Sequence, residues 1–154
     1  MASYESAGPV WQVGASVTKS FEQSLARLRN VSVSVIADDI PDAEGTAAIV
    51  IRFSDGTVLK AQYWRLIQDG RASLSSFDHQ KKYGLPAPID AKEEVSNRLQ
   101  RQVCNGVQFD SETADLTLVF GESTKLQAFN FTGHEIWEIH FPDGTGQYSN
   151  YALT

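Results

Sequence analysis

The chain has 154 residues, 42% of them hydrophobic and 21% charged, with a formal net charge of -6 at pH 7. That length supports one domain with a sizeable core, and the composition is that of a chain that folds on its own. No cluster of Lys and Arg is present to draw affinity from phosphates, which excludes ordinary nucleic-acid binding. The longest apolar run, Ala47 to Ile51, falls far short of the roughly 20 residues that span a bilayer. The N-terminus has neither the basic start nor the apolar stretch of a secretory signal, and the single Cys104 cannot form an internal disulfide. The expectation is a cytoplasmic protein without nucleic-acid or membrane partners.

Residues 1–17 mix Ser, Gly, Pro and Ala with Tyr4 and Trp11 and read as an N-terminal arm; disorder and docking through Val10, Trp11 and Val13 are both open. A single domain is expected over 18–154. Phe21, Leu25 and Leu28 line one side of a short helix, with Ser20 as N-cap, Gln23 as its capping-box partner and Asn30 as its end. Val31, Val33 and Val35 then alternate with Ser32 and Ser34 as a half-buried strand, which an acidic Pro- and Gly-containing loop, Asp38 to Gly45, terminates. Ile49, Ile51 and Phe53 alternate with Val50 and Arg52, and Ser54-Asp55-Gly56 turns the chain into Val58 to Tyr63. Trp64 to Ile67 is expected to follow as a third adjacent strand, closed by Asp69-Gly70.

Pro86 and Pro88 rule out helix or central strand, so Tyr83 to Ile89 reads as an extended connector. Asp90 caps a second helix, with Glu93 as its capping-box partner and Val95, Leu99 and Val103 on one face. Strands follow at Cys104 to Phe109, at Leu116, Leu118 and Phe120, at Lys125 to Phe129 and at Trp137, Ile139 and Phe141, with a last one expected within Tyr148 to Leu153.

Thr46 to Tyr63 aligns without a gap on Thr113 to Asn130, placing Phe53 on Phe120 and Leu59 on Leu126. With an insertion at Phe131 to Glu135, Trp64-Arg65-Leu66 falls on Trp137-Glu138-Ile139, and Leu28 and Val31 fall on Leu99 and Val103. A two-copy repeat is too short for a solenoid. The expected fold is therefore α+β, a predominantly antiparallel sheet built from two similar halves, about 18–82 and 90–154, each a helix followed by about four strands. Two short helices pack on that sheet.

Trp64-Arg65, Asp78-His79, Leu85-Pro86-Ala87-Pro88-Ile89-Asp90, Asp115 to Phe120, Gln127 to Asn130 and Glu135 to His140 together resemble a family of small bacterial proteins of unknown function, over most of the chain after about Leu28. The resemblance implies the kind of protein encoded in toxin-immunity neighbourhoods. His134 stands where that pattern has an aromatic, and no Gly-Tyr precedes Glu135.

No phosphate loop, paired zinc motif or Gly-x-Ser-x-Gly occurs, so no catalytic residue and no cofactor are assigned. The candidate binding residues are Trp64, Arg65, Asp78, His79, His134 and Glu135. Core anchoring is the competing role for Trp64 and Trp137. His134, Glu138 and His140 share a strand face and form the only candidate metal set. Cys104, with Arg101 as its nearest basic neighbour in sequence, reads as a buried thiol. The sequence thus points to a non-catalytic binding protein, an immunity-type inhibitor of a toxin being its sharpest form. The alternative is a small-molecule or metal-binding module with a cleft between the halves. Partners are a protein, either a toxin or a second copy in a homodimer through open sheet edges. Function is expected where the two copies differ, at 131–135 and at 78–90.

Overall fold

A computed structural model describes residues 20–36, 46–130 and 136–149. Residues 20–26 form helix α1. The first half continues with β1 (Val31–Ile36), β2 (Ile49–Phe53), β3 (Val58–Ala61), β4 (Trp64–Gln68), β5 (Arg71–Ser75) and one 3-10 turn, Ser76–Asp78. The second half is α2 (Ala91–Leu99), β6 (Val103–Phe109), β7 (Leu116–Phe120), β8 (Thr124–Ala128), β9 (Trp137–His140) and β10 (Gly146–Tyr148). Among the described residues the strands form one antiparallel sheet in the order β10-β9-β3-β2-β1-β6-β7-β8-β4-β5. The fold is the expected α+β arrangement of two similar halves, with five strands in each rather than about four.

The order is the same read from either end once each strand is exchanged for its repeat partner, so a pseudo-twofold axis passes between β1 and β6. Hydrogen bonds obey it. Asn30 N–H donates to Cys104 O at 2.7 Å and Arg101 N–H to Val33 O at 2.9 Å, with Asn30 and Arg101 both in the left-handed region at φ 67° and 63°. Ser32 pairs with Val103 on the axis, so Val103 corresponds to Ser32 and not to Val31.

Each half surrenders its last two strands to the other: β4-β5 extends the second half's β8, and β9-β10 extends the first half's β3. This overturns the expected adjacency of β3 and β4. Only Gln62 and Tyr63 separate those strands. A two-residue hairpin needs positive φ at one or both positions, normally from Gly or Asn. Neither Gln62 nor Tyr63 has positive φ, so the chain bends and crosses instead of reversing.

In a flat sheet β4 and β2 would lie roughly 24 Å apart, five strand spacings. Yet the Trp64 indole Nε1–H donates to Ala47 O, just before β2, at 2.7 Å. The Trp137 indole does the same to Ala114 O, just before β7, at 2.7 Å. The sheet must therefore curl until its two halves face each other across one contiguous core. Trp64 and Trp137 are the largest side chains in it, 0% and 1% exposed. Alternation puts Ile49, Ile51, Leu59, Leu116, Leu118 and Leu126 on the same inner face, all fully buried.

Helix α2 buries Ala91, Val95 and Leu99, and its Ser96 hydroxyl donates to Val35 O at 2.9 Å. Helix α1 lays Phe21 edge-on to Phe109 at 5.2 Å and stacked on Trp137 at 6.1 Å. Ser20 is itself helical rather than the residue before the helix. Val103 does not continue the α2 face: it lies in β6, 45% exposed, because the helix has already ended at Leu99. Among the described residues the last strand is Gly146–Tyr148, and most of the strand expected within Tyr148 to Leu153 lies outside them. The arm, the acidic loop at 38–45 and the insertion at 131–135 lie outside the described residues.

Candidate interaction site

Tyr83 to Ile89, expected to be extended, belong instead to a closed loop over residues 79–90. Gln80 N–H donates to Ile89 O at 2.8 Å and Ile89 N–H to Lys81 O at 2.9 Å, which pins the two ends together. His79 tightens the base: its Nδ1 accepts from Ala91 N–H, the first residue of α2, at 3.1 Å. Asp90 caps the same helix by accepting from Glu93 N–H at 3.1 Å. The prolines exclude helix and strand, as the sequence indicates. They leave the chain free to turn at Lys82 to Leu85, where Leu85 N–H donates to Lys82 O at 2.7 Å.

The two central residues of that turn are Tyr83 and Gly84, at φ 44° and 81°. Glycine adopts this region freely, but a bulky residue there costs about 1–2 kcal/mol. Tyr83 is held there by its hydroxyl, which donates to Asp78 Oδ1 at 2.9 Å. That hydrogen bond, with the nearby carboxylate charge, holds the phenol pKa above its ordinary value, so the donating form persists into more alkaline solution. The other Asp78 oxygen accepts from Ser75 N–H at 2.8 Å and closes a capping box with Ser75. Asp78 is therefore an anchor of the loop.

The result is a presented apolar tip. Tyr83 is 68% exposed and Leu85 49% exposed. Beside them lies a groove of about 680 Å³. Leu74 and Ile89 form its apolar floor, Pro86 and Pro88 one wall, and the first turns of α2, with Asp90, Glu93 and Glu94, the other. Phe77, in the 3-10 turn ahead of the loop, is 45% exposed and stacks on Tyr63 with centroids 5.5 Å apart.

Of the residues singled out in the sequence, Asp78 and His79 build this loop. Trp64 does not reach solvent, since its ring is fully buried and its indole N–H is spent on Ala47 O. Arg65 points to the opposite face, donating through Nε and Nη2 to Gln127 Oε1 at 2.9 and 2.6 Å, with its guanidinium 4.9 Å from the centre of the Phe129 ring. His134 and Glu135 lie outside the described residues. Glu138 and His140 do meet, at 3.2 Å, and Lys60 Nζ stands 3.7 Å from the same carboxylate oxygen. The third member of that candidate metal set, His134, lies outside the described residues, and among the described residues no group of three His, Cys, Asp or Glu side chains could hold a metal ion. Tyr83 and Leu85 were not singled out by the sequence reading; the Tyr-Gly pair ahead of a Pro-rich run is the signal that marks them.

A smaller cavity of about 260 Å³ opens at the seam where β3 of one half meets β9 of the other, lined by Lys60, Gln62, Trp137 and Glu138. The Gln62 Oε1 is buried with no hydrogen-bond partner among the described residues. Cys104 is buried, its thiol donating to Gly106 O at 3.4 Å, and burial pushes its pKa up, which makes it a poor nucleophile. No helix among the described residues is long and apolar enough to cross a membrane. Comparisons with protein families, curated proteins and solved structures found no match.

Proposed function

We propose that this is a non-catalytic binding protein that engages a protein partner through the loop 79–90 and the groove beside it, and that it acts as an immunity-type inhibitor by covering a toxin. The single observation carrying this reading is Tyr83: a bulky residue kept in a left-handed conformation, tethered to Asp78 and still 68% exposed. Strained residues of this kind concentrate at binding and switch sites. Tyrosine is among the side chains enriched at the anchor positions of protein interfaces. The test is capture from the native host by the wild-type protein and by a Tyr83→Ser/Leu85→Ser variant with an unchanged circular-dichroism melt. A protein retained by the first and lost by the second supports the reading, and inhibition of that partner's activity supports its immunity form. Equal capture by both would place binding elsewhere.

A second reading has its own observation. The unpaired Gln62 Oε1 in the seam cavity suits a small ligand carrying a hydrogen-bond donor. Such a ligand would raise the melting temperature of the wild type and not of Gln62→Leu.

A further inference from the structure

We infer that the groove takes a cationic, apolar-anchored peptide segment of its partner: one large apolar side chain on the floor, flanked by Lys or Arg. This rests on the reading of the groove as the binding site and specifies what fits it. The floor and one wall are apolar, with Leu74, Ile89, Pro86 and Pro88, and Tyr83 and Leu85 frame the entrance. Around that apolar surface stand four carboxylates, Asp78, Asp90, Glu93 and Glu94, against one guanidinium, Arg98.

Arg98 offsets one of them, donating to Glu94 Oε1 at 2.8 Å while it also reaches Gln68 Oε1 at 3.2 Å and Ser73 Oγ at 3.4 Å, so three carboxylates remain without it. Asp78 and Asp90 are oriented by backbone N–H donors. Glu93 has no cation paired with it among the described residues. A neutral segment entering here would leave these charges partly desolvated without compensation, and an acidic one would be repelled. Only a basic segment satisfies the rim while its apolar residue covers the floor. The net charge of -6 on the whole chain acts in the same sense by steering a basic partner inward.

The experiment is a selection of random 12-residue displayed peptides on the immobilised full chain. Fluorescence-polarisation titrations of an enriched peptide follow, against wild type, Glu93→Lys and Leu85→Ser. The expected peptides carry a large apolar residue flanked by Lys or Arg, lose about tenfold in affinity against Glu93→Lys, and weaken as salt rises. Peptides that need Leu85 but carry no cation and ignore salt overturn the inference while leaving the groove a protein-binding site. Peptides indifferent to Leu85→Ser overturn the reading of the groove itself. A concentration-dependent dimer of the chain, dispersed by Leu85→Ser in light scattering, overturns the inference in favour of a second copy as occupant.

Discussion

The two tryptophan corners of this molecule are nearly the same structure, and the surfaces beside them are not. Trp64 and Trp137 each donate an indole N–H to an alanine carbonyl in the facing half of the sheet. Each is also held through its backbone N–H by a buried serine twelve positions on, Ser76 Oγ at 3.1 Å and Ser149 Oγ at 3.3 Å. One step outward the equivalence ends: the Arg65–Gln127 hydrogen bonds of one seam are replaced by the Glu138–Lys60 ion pair of the other. Beyond Ser76 the first half goes on into the capped, strained loop that carries Tyr83. The lesson is that the corners are constrained by the exchange of hairpins, which fails unless both sides close. The periphery carries no such constraint, and there the two halves differ.

The sharpest way to break that comparison is at the corners. Trp64→Ala and Trp137→Ala should each cost about 3–5 kcal/mol, because each removes a fully buried indole and orphans a carbonyl. Urea unfolding measures both, and a loss several-fold smaller at one corner would show that the halves are not closed by equivalent contacts. Next come the serines. Ser76→Ala and Ser149→Ala should cost about 1–3 kcal/mol each for the buried N–H left unpaired. Ser149→Ala should be the larger, since Ser149 Oγ also accepts from Ile136 N–H at 2.8 Å.

The smallest effects belong to the outer seams, and there the halves should part. Glu138→Gln should change stability by about 0.5 kcal/mol or less, an effect that fades as salt rises, because its partner Lys60 is half exposed. Arg65→Met should cost about 1 kcal/mol with little salt dependence, since it loses neutral-acceptor hydrogen bonds and a ring contact. Equal salt dependence in the two would erase the distinction drawn here.

Much of the architecture was legible beforehand. The repeat of Thr46 to Tyr63 in Thr113 to Asn130 is visible because the same inner-face positions must be apolar in both copies, and the structure fills them with Phe53, Leu59, Phe120 and Leu126. The prolines at 86 and 88 correctly forbade regular structure. They could not show that Gln80 and Ile89 pair across the loop, because that pairing depends on where β5 ends and α2 begins. The candidate site was half visible for the same reason. Asp78 and His79 attract attention as titratable groups, but both hold backbone N–H groups and Asp78 also holds the Tyr83 hydroxyl. Tyr83, the residue they serve, has an unremarkable side chain whose importance lies in its backbone angle.

By itself the sequence determined most of the strands, their inward and outward faces, the Asp90 cap of the second helix and the duplication, because these follow from side-chain period and local backbone chemistry. Only the tertiary structure decided that the final two strands of each half cross to the other. That choice turns on a two-residue link which does not adopt a hairpin turn and on a tryptophan whose N–H finds its acceptor across the curled sheet. It also decided that Tyr83 would stand exposed over an acid-rimmed groove, because the groove exists only once β5, the loop and α2 have been brought together.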